Sequence, residues 1–163
     1  MTDPYLPADA ETRAQARALI DAARHAALAV LQPGGMTPSV SRIALATDAQ
    51  GMPVSLISSL AAHTAALEAT PTCALLIGEP GAKGDPLTHP RLTLHCFAQP
   101  IARGTPEHDA LRARYLDLRP KAGLYADFGD FRFVRFAILD GLLNAGFGKA
   151  VRLTGNDLSG ERR

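Results

Sequence analysis

The sequence predicts a mainly β domain: an antiparallel barrel of about six strands, with about three helices on its periphery. Three observations predict it. Arg91 to Gln99 alternates cleanly, with Leu92, Leu94, Cys96 and Ala98 facing one way and Arg91, Thr93, His95, Phe97 and Gln99 the other. Val40 to Thr47 and Pro53 to Leu60 read as strands joined by Asp48-Ala49-Gln50-Gly51, a tight hairpin whose glycine is free to take a positive φ. Hairpin-type connections dominate, and the strict strand–helix–strand alternation of a parallel sheet is absent.

Each element has its own local reason. Asp9 to His25 sets Leu19, Ile20 and alanines against Arg13, Arg17, Asp21 and Arg24, an amphipathic helix with Asp9 as N-cap. Ala26 to Leu31 follows with no Gly or Pro break, so composition does not fix the helix–strand boundary. Pro33-Gly34-Gly35 makes a turn. His63 to Ala69 is a short helix stopped by Pro71. Cys73 to Ile77 is an unbroken apolar run, as in a strand buried on both faces. Gly78 to Pro90, GEPGAKGDPLTHP, is too rich in glycine and proline for regular structure, and a loop of this length is usually functional or mobile.

Thr105-Pro106 starts a helix, with threonine as N-cap and proline at the first helical position. It runs to about Leu118, with Leu111, Tyr115 and Leu118 on one stripe, and Pro120 ends it. Lys121 to Asp127 reads as a further helical turn. Phe131 to Leu139 is aromatic and β-branched, hence a strand, with Leu142 to Phe147 as its hairpin partner. Val151 to Leu153 adds a short strand, and the polar tail from Asn156 reads as frayed.

At 163 residues one domain, 1–163, is expected. A net charge of +1 gives no electrostatic case for nucleic acid or an anionic membrane. The N-terminus, MTDPYLPADAETR, lacks the basic and apolar runs of a signal peptide, and nothing approaches a membrane span, so a cytoplasmic location is expected. Cys73 and Cys96 lie in separate apolar strands without CxxC spacing and read as small buried hydrophobes. His25, His63, His89, His95 and His108 form no HExxH or other ligand spacing, so no metal is expected. There is no GxSxG elbow and no P-loop. Gly146-Phe147-Gly148 lacks the third glycine and the following helix of a dinucleotide fingerprint, and reads as a glycine-bent turn. His95, on an alternating strand, reads as packed or interfacial rather than catalytic.

The candidate chemistry sits where the second hairpin strand feeds the short helix. Ser58, Ser59, His63 and Thr64 lie at that corner, and Arg42 heads the strand before it. Guanidinium matches phosphate oxygens through paired donors, and the free N–H groups of a helix start point at the same anion. These are the ingredients of a phosphate site for a nucleotide-like cofactor. The plainer alternative is that Ser59 caps the helix and Arg42 pairs with a surface acid. His63 could equally pack across one helical turn, and Lys149 is either a further cation or simply solvated.

The stretch SRIALATDAQGMPVSLISSLAAHTAALEATPTCALLIGEPGAKGDPLTHPRLTL resembles the pyridoxamine 5'-phosphate oxidase-like FMN-binding split barrels, closest to the branch associated with haem utilisation. YLDLRPKAGLYADFGDFRFVRF and LNAGFGKA resemble further segments of that branch, so the likeness covers roughly residues 20 to 153. The resemblance implies a six-stranded antiparallel split barrel and a homodimer with FMN at the subunit interface. It implies that Ser41, Arg42, Ser58, Ser59, His63 and Thr64 surround the FMN phosphate. Arg91, Phe147, Gly148 and Lys149 follow as further cofactor contacts. Two departures stand out: Asn144-Ala145 where a glycine pair is usual, and no extra C-terminal domain in the sequence to residue 163.

The function so implied is a flavin-dependent oxidoreductase acting on a small molecule, with flavin doing the redox chemistry. No side chain stands out as its acid or base. The alternatives are a haem-binding or haem-degrading protein using the same cleft and a non-enzymatic flavin-binding module. Apolar strands and an alanine-rich helix offering more hydrophobic face than one small barrel can bury give dimerisation a physical motive.

Overall fold

A computed structural model describes residues 4–159. Four α-helices, α1 (Ala10–Ala22), α2 (Ala62–Ala69), α3 (Pro106–Leu118) and α4 (Gly155–Leu158), surround one antiparallel sheet. Its eight strands are β1 (His25–Leu31), β2 (Pro38–Ala44), β3 (Ala46–Thr47), β4 (Pro53–Ser58), β5 (Thr72–Ile77), β6 (Arg91–Pro100), β7 (Phe131–Asn144) and β8 (Ala150–Thr154). They pair in the order β2-β1-β5-β6-β7-β4-β3, with β8 added to β7. Only Leu45 separates β2 from β3, so the two ends of this path are consecutive pieces of one bent chain and the sheet curls into a half-barrel.

The counts exceed the six strands and three helices expected, for two reasons. The strand expected over 40–47 breaks at Leu45, so that its first part pairs with β1 and its second with β4. The polar tail expected to fray instead forms α4, because Thr154 and Asp157 make a reciprocal capping box and Leu158 is buried. The last part of that tail, 160–163, lies outside the described residues, as does 1–3 of the N-terminal segment.

Local signals held at the helix starts. Asp9 accepts from the Thr12 amide at 2.8 Å, and Thr105 accepts from His108 at 3.2 Å ahead of Pro106. The first helix stops at Ala22, and β1 takes the residues whose boundary composition had left open. At the β3–β4 turn the buried Asp48 carboxylate accepts from the amides of Gln50 and Met52, both at 2.9 Å, and from Arg135 Nε at 2.7 Å.

Three arginines finish the exposed edge of this region by donating to main-chain carbonyls. Arg119 reaches Leu45 O and Ala23 O, Arg114 reaches Thr47 O, and Arg17 reaches Gly51 O. An open strand edge is a template for unwanted pairing, and these guanidiniums cover it.

Two further expectations are corrected. Phe131 to Asn144 is one continuous strand; no hairpin turn interrupts it at Asp140-Gly141. Gly141 is needed there for space, since a Cβ would lie 2.9 Å from Leu158 Cδ1 and 3.1 Å from Thr93 O. β5 is not buried on both faces: Cys73, Leu75 and Ile77 point into the core, while Leu76 is 45% exposed. Inside the curl, Leu28, Leu75, Leu94, Phe136 and Leu143 pack with Ile20 of α1. A second cluster sits under α3, where Tyr115 and Phe133 meet edge to face at 5.2 Å.

Candidate functional site

The corner between β4 and α2 is a closed hydrogen-bond circuit. Thr64 Oγ1 donates to the Ser58 carbonyl at 2.5 Å, and Ser58 Oγ accepts from the Leu60 amide at 3.1 Å. The same Ser58 hydroxyl donates to Asp130 Oδ2 at 2.7 Å, and the Ser59 amide donates to the Asp130 carbonyl at 2.7 Å. His63 turns back onto β2, where its Nδ1 lies 3.0 Å from Ser41 Oγ. Its Nε2 is buried with no hydrogen-bond partner among the described residues, and burial holds the imidazole pKa below its usual value. Ala61 occupies the N-cap of α2 and offers no side-chain oxygen, so Ser59 does not cap it.

The structure therefore gathers Ser41, Ser58, His63 and Thr64 at one corner in two separate sets, Ser41 with His63 and Ser58 with Thr64 and Asp130, with Ser59 exposed at its lip. Arg42 is sent elsewhere. Strand alternation turns Ser41 toward His63 and leaves Arg42 exposed on the outer face of the sheet.

That outer face can be laid out by register. One row across the strands runs Asp140, His95, Ala74, Ala29, Val40, and the next runs Leu142, Thr93, Leu76, Ala27, Arg42. Small alanines form the middle, with exposed apolar side chains around them: Leu31 at 41%, Val40 at 67% and Phe97 at 43%. Arg91 lies on the same face of β6, donating to Leu87 O at 3.1 Å. Phe147, Gly148 and Lys149 are exposed in the β7–β8 turn, beside the 86–88 helical turn, where a Cβ on Gly146 would lie 3.6 Å from Thr88 O. The Gly/Pro loop is tied around His89, whose ring accepts from the Gly81 amide at 3.2 Å and meets the Lys83 carbonyl at 2.9 Å.

Three groups escaped sequence reasoning. Asp130 closes the Ser58 corner from 72 residues away. Arg103 gathers the carbonyls of Ala126, Phe128 and Phe131, fixing the segment that delivers Asp130. Asp140 sits 2.5 Å from His95 Nδ1. No local spacing signals any of these, because strand register makes each contact. Among the described residues no group of three or more His, Cys, Asp or Glu gathers as a metal site. No helix among them is long and apolar enough to cross a membrane.

No family model matches the chain. It is 43% identical over 100 residues to the Arabidopsis thaliana protein named non-canonical heme oxygenase HOZ, chloroplastic. That match takes in 60% of this chain but 29% of the relative. A solved structure with 47% identity superposes with a TM-score of 0.85 over 94% of this chain and 99% of that one. The structure described as a heme binding protein from Mycobacterium smegmatis shares 26% identity with a TM-score of 0.82, covering 93% of this chain and 61% of that one. The chain thus spans less than two thirds of the length of either named relative.

These likenesses overturn the expected cofactor. Both named relatives are described by haem, so the FMN expectation is corrected, together with the flavoprotein and FMN-dependent oxidoreductase readings that depend on it. The corner shows the physical reason. The Asp130 carboxylate holds the Ser58 hydroxyl and would repel a phosphate there, while Ser41 and Arg42 point to opposite faces and form no joint cradle.

Proposed function

The chain belongs to the pyridoxamine 5'-phosphate oxidase-like split-barrel family, in the branch associated with haem utilisation, and from that premise we propose that it binds haem and acts on it oxidatively. The observation that carries this reading is the 43% identity to a heme oxygenase over 100 residues. The geometry supports it on the outer sheet face. A planar apolar group needs a flat apolar floor, and the alanines at 27, 29 and 74 leave one between Leu76, Phe97 and Val40. A haem also presents carboxylates, and Arg42, which has no carboxylate partner among the described residues, lies on that face with Arg91. Bound haem supplies redox-active iron; the chain's own residues bind it, orient it and limit its access to water. Ser41 and His63 tie the start of α2 to β2 beneath Arg42, Ser58, Ser59 and Thr64 hold the β4–α2 corner, and Phe147 to Lys149 form a rim beyond Arg91.

The same face is where a second copy would pack, giving a homodimer with haem at the seam. Leu31, Val40, Leu76 and Phe97 are exposed there in one chain, an arrangement typical of interaction surfaces. The eight strand segments then act as six staves, β2 and β3 sharing one and β8 lying outside the circuit. The test is hemin titration of the purified protein, followed by addition of a reductant in air. The expected result is a saturable Soret band that bleaches with formation of an open tetrapyrrole. A Soret band that never bleaches would leave haem carriage and remove the oxidative step; no Soret band at all would remove the reading.

A further inference from the structure

The five histidines differ in how their ring nitrogens are engaged, and the difference singles one out. Both nitrogens of His89 are used within its own loop. His108 is buried, packed edge-on against Phe133 at 5.6 Å. His63 has Nδ1 on Ser41 and Nε2 shut inside the fold. His25 places Nε2 on Glu79 at 2.9 Å, leaving only the nitrogen nearer the main chain. His95 and His108 both have Nδ1 on a carboxylate, His95 on Asp140 Oδ1 at 2.5 Å and the buried His108 on Asp109 Oδ1 at 3.2 Å. Only His95 combines that contact with an exposed ring whose Nε2 has no partner among the described residues.

Accessibility and setting agree. The side chains of His95 and Asp140 are 44% and 50% exposed, so neither is shut in the core. The pair sits at the edge of a β-bulge: β6 and β7 run in register from Arg91 to His95, which pairs directly with Asp140, then shift between His95 and Cys96, leaving Leu139 as the extra residue. His95 stands beside Ala74 at the edge of the alanine floor, with Phe97 two residues along the same face. Arg42 lies three strands away in the adjoining row, about 14 Å across the sheet. Metal-bound imidazoles usually pass their other nitrogen's proton to a carboxylate or carbonyl, which fixes ring orientation and raises ligand basicity.

We propose that His95 Nε2 is the axial ligand to the haem iron, that Asp140 is the positioning residue behind it, and that Arg42 meets a haem carboxylate. The inference rests on the haem reading and adds the atom through which iron is held. The iron bond forms on a neutral imidazole, whose Nδ1 proton stays shared with Asp140, so no net proton or electron is exchanged.

The test uses the full chain, hemin, and absorbance and electron paramagnetic resonance spectra, with far-UV circular dichroism confirming the fold of each variant. Wild type should bind hemin with an imidazole-type signature. His95→Ala should bind at least tenfold more weakly and lose that signature, and added imidazole should restore it. Should His95→Ala fail to fold, His95→Gln is read in its place. Asp140→Asn should keep binding but shift the reduction potential upward, which a purely structural contact would not do, and His25→Ala should match wild type. Wild-type binding with spectra and affinity unchanged in His95→Ala overturns the ligand assignment and leaves the haem reading standing. Absence of any hemin binding by wild type overturns both.

Discussion

Gly78 is the pinch that closes the long loop onto β6, and its replacement by alanine should separate steric from conformational cost. Its φ is +102°, and a Cβ there would lie 2.6 Å from Pro90 O and 2.9 Å from Arg91 Cα, both backbone atoms that cannot rotate aside. Left-handed backbone costs an L-residue about 1–2 kcal/mol, and forcing a methyl into packed backbone adds about 1–3 kcal/mol. Gly78→Ala should therefore lose about 2–5 kcal/mol. Gly104 is the control: its φ is +75°, with nothing within 4 Å of an added methyl, so Gly104→Ala should lose only about 1–2 kcal/mol. Urea denaturation measures both, and in a chain of this size each kcal/mol lowers Tm by about 2–4 °C. The displacement would fall on Arg91, whose guanidinium holds Leu87 O, so hemin affinity should drop in Gly78→Ala and stay unchanged in Gly104→Ala. Equal losses of stability in the two variants would refute the close-approach argument.

Asp48→Ala removes the acceptor of two turn amides and of Arg135 and should destabilise by about 2–4 kcal/mol, less than a fully buried ion pair because Arg135 keeps Glu107 at 2.7 Å. A change in urea midpoint too small to measure would show that the turn forms without it. Cys73 and Cys96 should resist a thiol reagent in the native state and react on unfolding, since burial pushes the Cys73 thiol up to about 12 and raises Cys96 as well. Fast native labelling would mean the β5–β6 core opens readily. The lowered pKa of His63 means the unfolded chain takes up its proton first as pH falls. Its contribution is therefore fully present above the ordinary imidazole value of 6.5 and is lost as pH drops through the lowered folded value. Stability measured from about pH 7.5 down to about 5 should decline less steeply in His63→Gln than in wild type, and identical slopes would place the pH dependence elsewhere.

What the sequence made legible was whatever a short window can encode. Asp9 with Thr12, and Thr105 with Pro106, announce helix starts because a cap bonds three residues ahead. The alternation of Arg91 to Gln99 announces its strand because one face is buried. The box at Thr154 and Asp157 was equally readable, and α4 follows from it. What stayed hidden depends on pairing. Asp140-Gly141 reads as a hairpin turn, since Asp-Gly is a strong turn dipeptide. In the fold each residue answers a tertiary demand instead: Gly141 leaves room for Leu158 and the Thr93 carbonyl, and Asp140 meets an imidazole 45 residues away. The same limit governed the Ser58 corner. Its residue types suggested an anion site, but the anion there is the protein's own Asp130, delivered from 72 residues on. Residue type at a strand–helix junction thus marked the place and left the charge undetermined. The outer face, where Arg42 and His95 come to share a surface through four strands of register, had no counterpart in any local motif.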